Sequence, residues 1–306
     1  MGEALARNLM AAGLVPVASL DEADLVVTFC TSQEDLEEVY LGEGGLVSKL
    51  AEGTMLMDCS ATTPSFAREM AALASINDLL PVEAPLYVRD VTAAQAFADR
   101  GNLAVLAAGE ENALRACKPV LEAIADDCVF CGPAGQAQLA KCALTLQQAL
   151  RIMGQVESDA LCRTVAGASG ADGMREAVAA VGGQSPQSRA LAVAIEEGEF
   201  ASDYTVEVMF CELNAALAQA EESDLITPLG EAAQYLLRLL AMVGGVDLGP
   251  AALTLMYRDE EECASYGLDW SRAEAAYTQA GEEDDDPYGY DLDDDEWAAR
   301  RGFSEN

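Results

Sequence analysis

A change of rhythm at Gly132-Pro-Ala-Gly135 constrains this chain more than any other feature. Upstream, short apolar runs alternate with amphipathic stretches. Leu25–Cys30, Thr54–Asp58, Leu79–Val82, Asn102–Gly109 and Cys128–Cys131 read as strands. Gln33–Leu41, Thr63–Ala74 and Glu110–Ile124 read as helices between them. Continuous apolar runs in this alternation are the mark of a parallel α/β sheet covered by helices. Downstream, the period becomes helical without interruption. One helix of roughly 30 residues runs toward Ala166, and more follow at about 172–181, 187–197, 203–222, 228–243 and 249–261. The fold class is therefore α/β with an incomplete parallel sheet, followed by an all-helical domain. The expected division is 1–133, 134–262 and an acidic tail over 263–306, where Glu282–Pro287 and Asp291–Glu296 are blocks of like charge. Tyr288, Tyr290 and Trp297 are the tail's candidates for contact with a partner, against plain disorder.

Charge and composition narrow the chemistry. The net charge is −36, from 53 acidic and 17 basic residues, and no basic run exists. Such a surface repels nucleic acid and anionic lipid. No run reaches the ~18 apolar residues of a membrane span, so the reading is a protein of the reducing cytoplasm. Histidine is absent. That excludes Ser-His-Asp and Cys-His nucleophilic sites and imidazole-bound zinc, and no metal is expected. Proton transfer near neutrality falls to Lys, Cys, Tyr or a perturbed carboxyl group. The nine cysteines follow no disulfide framework. Cys128 and Cys131 form a CxxC, but in a strand they face opposite sides. Lys141 is one of three lysines and lies just inside the long helix, after the glycine-bearing turn. It reads either as a surface lysine or as an ammonium turned into a cleft, where it can exchange a proton with a carbonyl or hydroxyl.

The motifs, in order, resemble the β-hydroxyacid dehydrogenase family. Met1–Gly13 is similar to the family's first helix, and Ala23–Thr31 to its later strand and the loop beside the cofactor. Gly42-Glu-Gly-Gly-Leu46 matches a loop that follows. Asp58-Cys-Ser-Ala-Thr-Thr-Pro64 resembles the Asp-x-Ser-Thr-x-x-Pro element, and Glu83-Ala-Pro85 stands where the family has Asp-Ala-Pro. Gly132–Lys141 matches the turn and helix that carry the catalytic lysine. The resemblance covers about residues 1–262. It implies a Rossmann-like domain for NAD or NADP and a helical domain that dimerises. It implies Lys141 as the catalytic residue and Cys30, Thr31, Ser60 and Ala61 against the nicotinamide end.

The departures matter as much. The first strand and most of the Gly-x-Gly-x-x-Gly turn are lacking, and so are the second strand and its helix, between Gly13 and Asp24. Cofactor binding is therefore expected to be weak or absent. Where the family has Val-Ser-Gly-Gly this chain has Leu86-Tyr-Val-Arg89, which makes Tyr87 and Arg89 the candidates for the substrate. Leu144 and Thr145 stand in place of an asparagine, and Cys211-Glu212 in place of Lys-Asp. Two functions stay open. One is an NAD(P)-dependent oxidoreductase of a small 3-hydroxy acid, acting as a homodimer. The other is a degenerate, non-catalytic family member or truncated gene product with a binding or structural role. In the first, Lys141→Met is expected to abolish activity and leave the fold nearly intact.

Overall fold

The computed structural model describes residues 2–182 and 185–274. Helix α1 (Gly2–Ala11) leads into a stretch with one 3-10 turn, Leu20–Glu22, and no strand. Then come β1 (Leu25–Thr28), α2 (Gln33–Leu41), α3 (Leu46–Lys49), β2 (Met55–Asp58), α4 (Pro64–Ile76), β3 (Leu80–Glu83), β4 (Leu86–Val88), β5 (Leu103–Gly109), α5 (Glu111–Ile124) and β6 (Asp127–Gly132). The second part holds α6 (Gln136–Ala166), α7 (Ala168–Gly182), α8 (Pro186–Glu197), α9 (Val206–Glu222), α10 (Pro228–Leu240) and α11 (Glu260–Ser265). A wide turn, Ala241–Gly245, and a 3-10 stretch, Pro250–Tyr257, lie between α10 and α11. Local chemistry sets several of these starts. Ser32 and Thr63 each accept a hydrogen bond from a backbone N–H at the head of α2 and α4, and Pro64 opens α4.

The sheet is mixed rather than wholly parallel. Strands β1, β2 and β3 are parallel, and β6 is parallel to β5. Both β3 and β4 run antiparallel to β5. They lie end to end along one side of it, because Glu83-Ala-Pro85 carries the chain from one to the other. Three-residue β4 is too short to leave a periodic signal, and the sequence reading did not find it. Strand β5 is buried along nearly its whole length, as its continuous apolar run requires.

The larger core joins sheet and helices without a break. Met57, Val82, Leu103 and Val105 pack in one cluster with Ile152, Val156, Leu213 and Leu237. Leu36, Tyr40, Leu56, Phe66 and Met70 form a smaller core beneath α2 and α4. One correction falls at the end of the helical part. The packed chain does not stop at 262: Cys263, Leu268 and Ala273 are buried in the larger core. An apolar residue every few positions suffices to hold 263–274, although its periodicity is too short to read. The acidic blocks with Tyr288, Tyr290 and Trp297 lie outside the described residues. No single helix among the described residues is long and apolar enough to cross a membrane.

Candidate active site

The site is built where the head of α6 meets the end of β3 and the loop after β2. Gly135 makes the approach possible. Its φ is +88°, and a Cβ there would stand 2.9 Å from the Pro64 carbonyl oxygen. Its N–H donates to the Glu83 carboxylate, as does the Gln138 N–H at 3.4 Å, so the head of α6 rests on the end of β3. Gln138, fully buried, then ties α6 to the loop after β2. Its Nε2 donates to the Ser60 carbonyl at 2.8 Å, and its Oε1 accepts from Thr62 N at 3.1 Å.

One turn further on, Lys141 is 1 % exposed. Its Nζ lies 2.7 Å from Glu212 Oε1 on α9. The second carboxylate oxygen of Glu212 accepts a 2.6 Å hydrogen bond from the Tyr204 hydroxyl. Tyr204 is fully buried, and burial together with the Glu212 charge pushes its phenol well above the ordinary range, so it stays a donor. The Tyr87 ring lies 5.8 Å from Nζ, within range of a cation–π contact. The isolated burial of an ammonium is costly; here a carboxylate and an aromatic face compensate it.

The loops after β1 and β2 complete the arrangement. Ser60 Oγ accepts from Cys30 N at 2.9 Å, and Ser60 N donates to Asp58 Oδ1 at 3.0 Å. Thr28 Oγ1 donates to the same Asp58 oxygen at 3.1 Å. Burial raises the Asp58 carboxyl to about 6, in spite of these hydrogen bonds. Cys30, Thr31 and Ala61 wall a narrow cleft with Phe29, Leu86 and Glu212. Its volume is about 10 Å³, on the order of one water.

The sequence candidates thus separate. Cys30, Thr31 and Ala61 share one cleft, which Glu212 also lines. Lys141 sits behind Glu212, with Tyr87 beside it. Ser60 is fully buried and acts as a brace behind the wall, its hydroxyl spent on Cys30. Arg89 is occupied elsewhere. Its guanidinium donates to the Leu103 carbonyl at 2.7 Å and pairs with Asp127 at the start of β6. Strand β4 ends at Val88, and this carries Arg89 along β5 to that pairing. The sequence reading treated Glu212 only as a lost helper and missed Tyr204 and Gln138. Glu212 had one usable signal, an acid within the apolar face of α9, two residues after Phe210.

The sequence profile of the family described as "NAD binding domain of 6-phosphogluconate dehydrogenase" matches residues 3–132. The NAD-dependent L-serine dehydrogenase of Pseudomonas aeruginosa is 28% identical over 248 residues, 78% of this chain and 81% of its own. The oxidoreductase YkwC of Bacillus subtilis is 28% identical over 200 residues, 65% of this chain and 67% of its own. Among solved structures, the 3-hydroxyisobutyrate dehydrogenase of Mycobacterium tuberculosis with L-serine superposes with a TM-score of 0.70 at 22% identity. It covers 85% of this chain and 96% of that one.

Proposed function

We propose that the chain is a member of the β-hydroxyacid dehydrogenase family, an NAD- or NADP-dependent oxidoreductase that interconverts a small 3-hydroxy acid and its carbonyl form. The observation that carries this reading is the buried Lys141–Glu212–Tyr204 chain set directly behind the Cys30–Thr31–Ala61 wall. The residue types suit the nicotinamide end of a cofactor site, an apolar wall with a shielded ammonium behind it, although the cleft as it stands has room for about one water. The adenosine half has no counterpart in the segment between α1 and β1, which forms no strand. A bound nicotinamide would supply or take the hydride at the substrate carbon.

The remaining work belongs to the chain's own side chains. Lys141 gives its proton to the carbonyl oxygen in reduction and takes the hydroxyl proton in oxidation. Glu212 holds the ammonium in place and offsets its burial. Tyr204 keeps Glu212 oriented. Tyr87 faces the same ammonium and offers a phenol to a substrate oxygen. A substrate needs more room than one water, so the walls of the cleft must part on binding. Leu161 and Val165 on α6 and Val181 on α7 are exposed apolar residues, and they support a homodimer formed through the helical part. Sedimentation at micromolar concentration gives a dimer under this reading.

A non-catalytic role is the second reading, favoured by the one-water cleft and the strandless stretch after α1. Turnover assays with short 3-hydroxy acids and their carbonyl forms, using NAD and NADP, separate the two. Cofactor-dependent turnover of any substrate in the panel supports the enzyme. A wholly inactive panel from a folded protein supports the second reading.

A further inference from the structure

A second cavity, of about 460 Å³, lies beneath α4. This is within the usual range of small-molecule sites, ~300–1,000 Å³. Its walls include Tyr40, Leu56, Phe66 and Met70 from the smaller core. It is distinct from the cleft beside Lys141, because side chains alternate across β2. Leu56 and Asp58 face this cavity, whereas Met57 and Cys59 belong to the larger core on the other side.

The polar groups of the cavity are what make it specific. Asp58 and Glu83 both line it, and they are register partners at the ends of β2 and β3. Their hydrogen bonds come from uncharged donors: Thr28 and Ser60 for Asp58, and the Gly135 and Gln138 amides for Glu83. Both bonds to Asp58 fall on Oδ1. Among the described residues, no ion pair engages either carboxylate. Arg68 and Glu110 also line the cavity and are exposed; the Arg68 guanidinium lies beside Gly135, whose N–H donates to Glu83, without pairing with that carboxylate. Two adjacent carboxylates lining a largely apolar cavity, neither of them in an ion pair, favour a positive charge bound between them.

We propose that this cavity binds an organic ammonium, with its head between Asp58 and Glu83 and its apolar body along Leu56, Phe66 and Met70. Burial raises both carboxyl groups above their ordinary range, as two acids lacking a cation should be. A bound ammonium returns them to the charged form. A neutral ligand of the same shape gains only the apolar contact, and an anion is repelled.

Calorimetric titration of the full chain tests this with phenethylammonium, phenethyl alcohol and phenylacetate. The titration is run in about 1 M salt, where screening over ~3 Å suppresses diffuse attraction to the −36 surface. The ammonium is expected to bind at least ~10-fold more tightly than the alcohol. Asp58→Asn should shrink that preference to below about threefold. Ala71→Phe, which fills the cavity from a half-buried wall position on α4, should weaken the ammonium by at least ~10-fold. Circular dichroism checks that each variant is folded. Equal affinity of the parent for ammonium and alcohol overturns the proposal. So does ammonium binding that neither substitution changes, which would locate it on the acidic surface.

Discussion

At the scale of single residues, Lys141 and Glu212 form one structural unit. Removing one member of a buried pair strands the other, at about 3–5 kcal/mol, whereas replacing both costs far less. Lys141→Met is therefore expected to lower stability by about that amount, with the unpaired Glu212 left in a dry site. This revises the sequence-based expectation of a nearly intact fold, which had no partner in view. Lys141→Met/Glu212→Gln, which keeps an acceptor for Tyr204, should recover much of the loss in urea unfolding at constant m-value. A double variant no more stable than the single one would contradict this coupling. Asp58 offers a second test, with a definite sign. Its folded-state carboxyl titrates at about 6 against 3.8 for the free group, so the folded state favours the protonated form. The contribution is fully present below about pH 4 and is lost as pH rises through about 6. Asp58→Asn keeps an acceptor for Thr28 and Ser60 and should be more stable than the parent at about pH 8, by up to about 3 kcal/mol. Below about pH 4 the difference should vanish. A gain that persists in acid would assign it to something other than the charge.

At the scale of elements, the head of α6 organises the site. Gly135 has positive φ and abuts Pro64, so Gly135→Ala combines backbone strain with a close contact. It is expected to cost at least ~1–3 kcal/mol in unfolding free energy. It should also loosen the Gln138 bonds to the Ser60–Thr62 loop, read as faster amide exchange at Thr62. Unchanged stability would mean that α6 can settle elsewhere. The long helix was legible because 31 residues of helical period follow a glycine turn. The longer strands were legible because each is a continuous apolar run. Strand β4 was not, since three residues carry no period and its place depends on β5. The antiparallel joins were hidden for the same reason, because pairing direction is set by tertiary packing and not by local pattern. Within the site, Lys141 and the Cys30–Thr31–Ala61 wall could be located from motif order. The Glu212 contact could not, because it joins residues 71 positions apart (212 − 141).

At the scale of the whole molecule, the larger core runs from the sheet into the helices, so both sides of the site share one packed core. The weak point is the segment between α1 and β1. No strand forms there, and each charge-assisted hydrogen bond to a cofactor that such a strand and its loop would have supplied is worth roughly 1.5–3 kcal/mol. Losing two weakens binding about a hundredfold or more, and the −36 charge adds to this at low salt. Titration with NAD and NADP should give affinities weaker than micromolar; tighter binding would show that another part of the chain holds the phosphates. The account as a whole rests on Lys141 as the proton-transferring group. The most direct measurement is kcat for carbonyl reduction by the parent and by Lys141→Met/Glu212→Gln, both shown to be folded and assayed at saturating cofactor. The predicted result is a fall of about 10²–10⁴ in kcat with little change in cofactor affinity. A double variant that turns over as fast as the parent would contradict it.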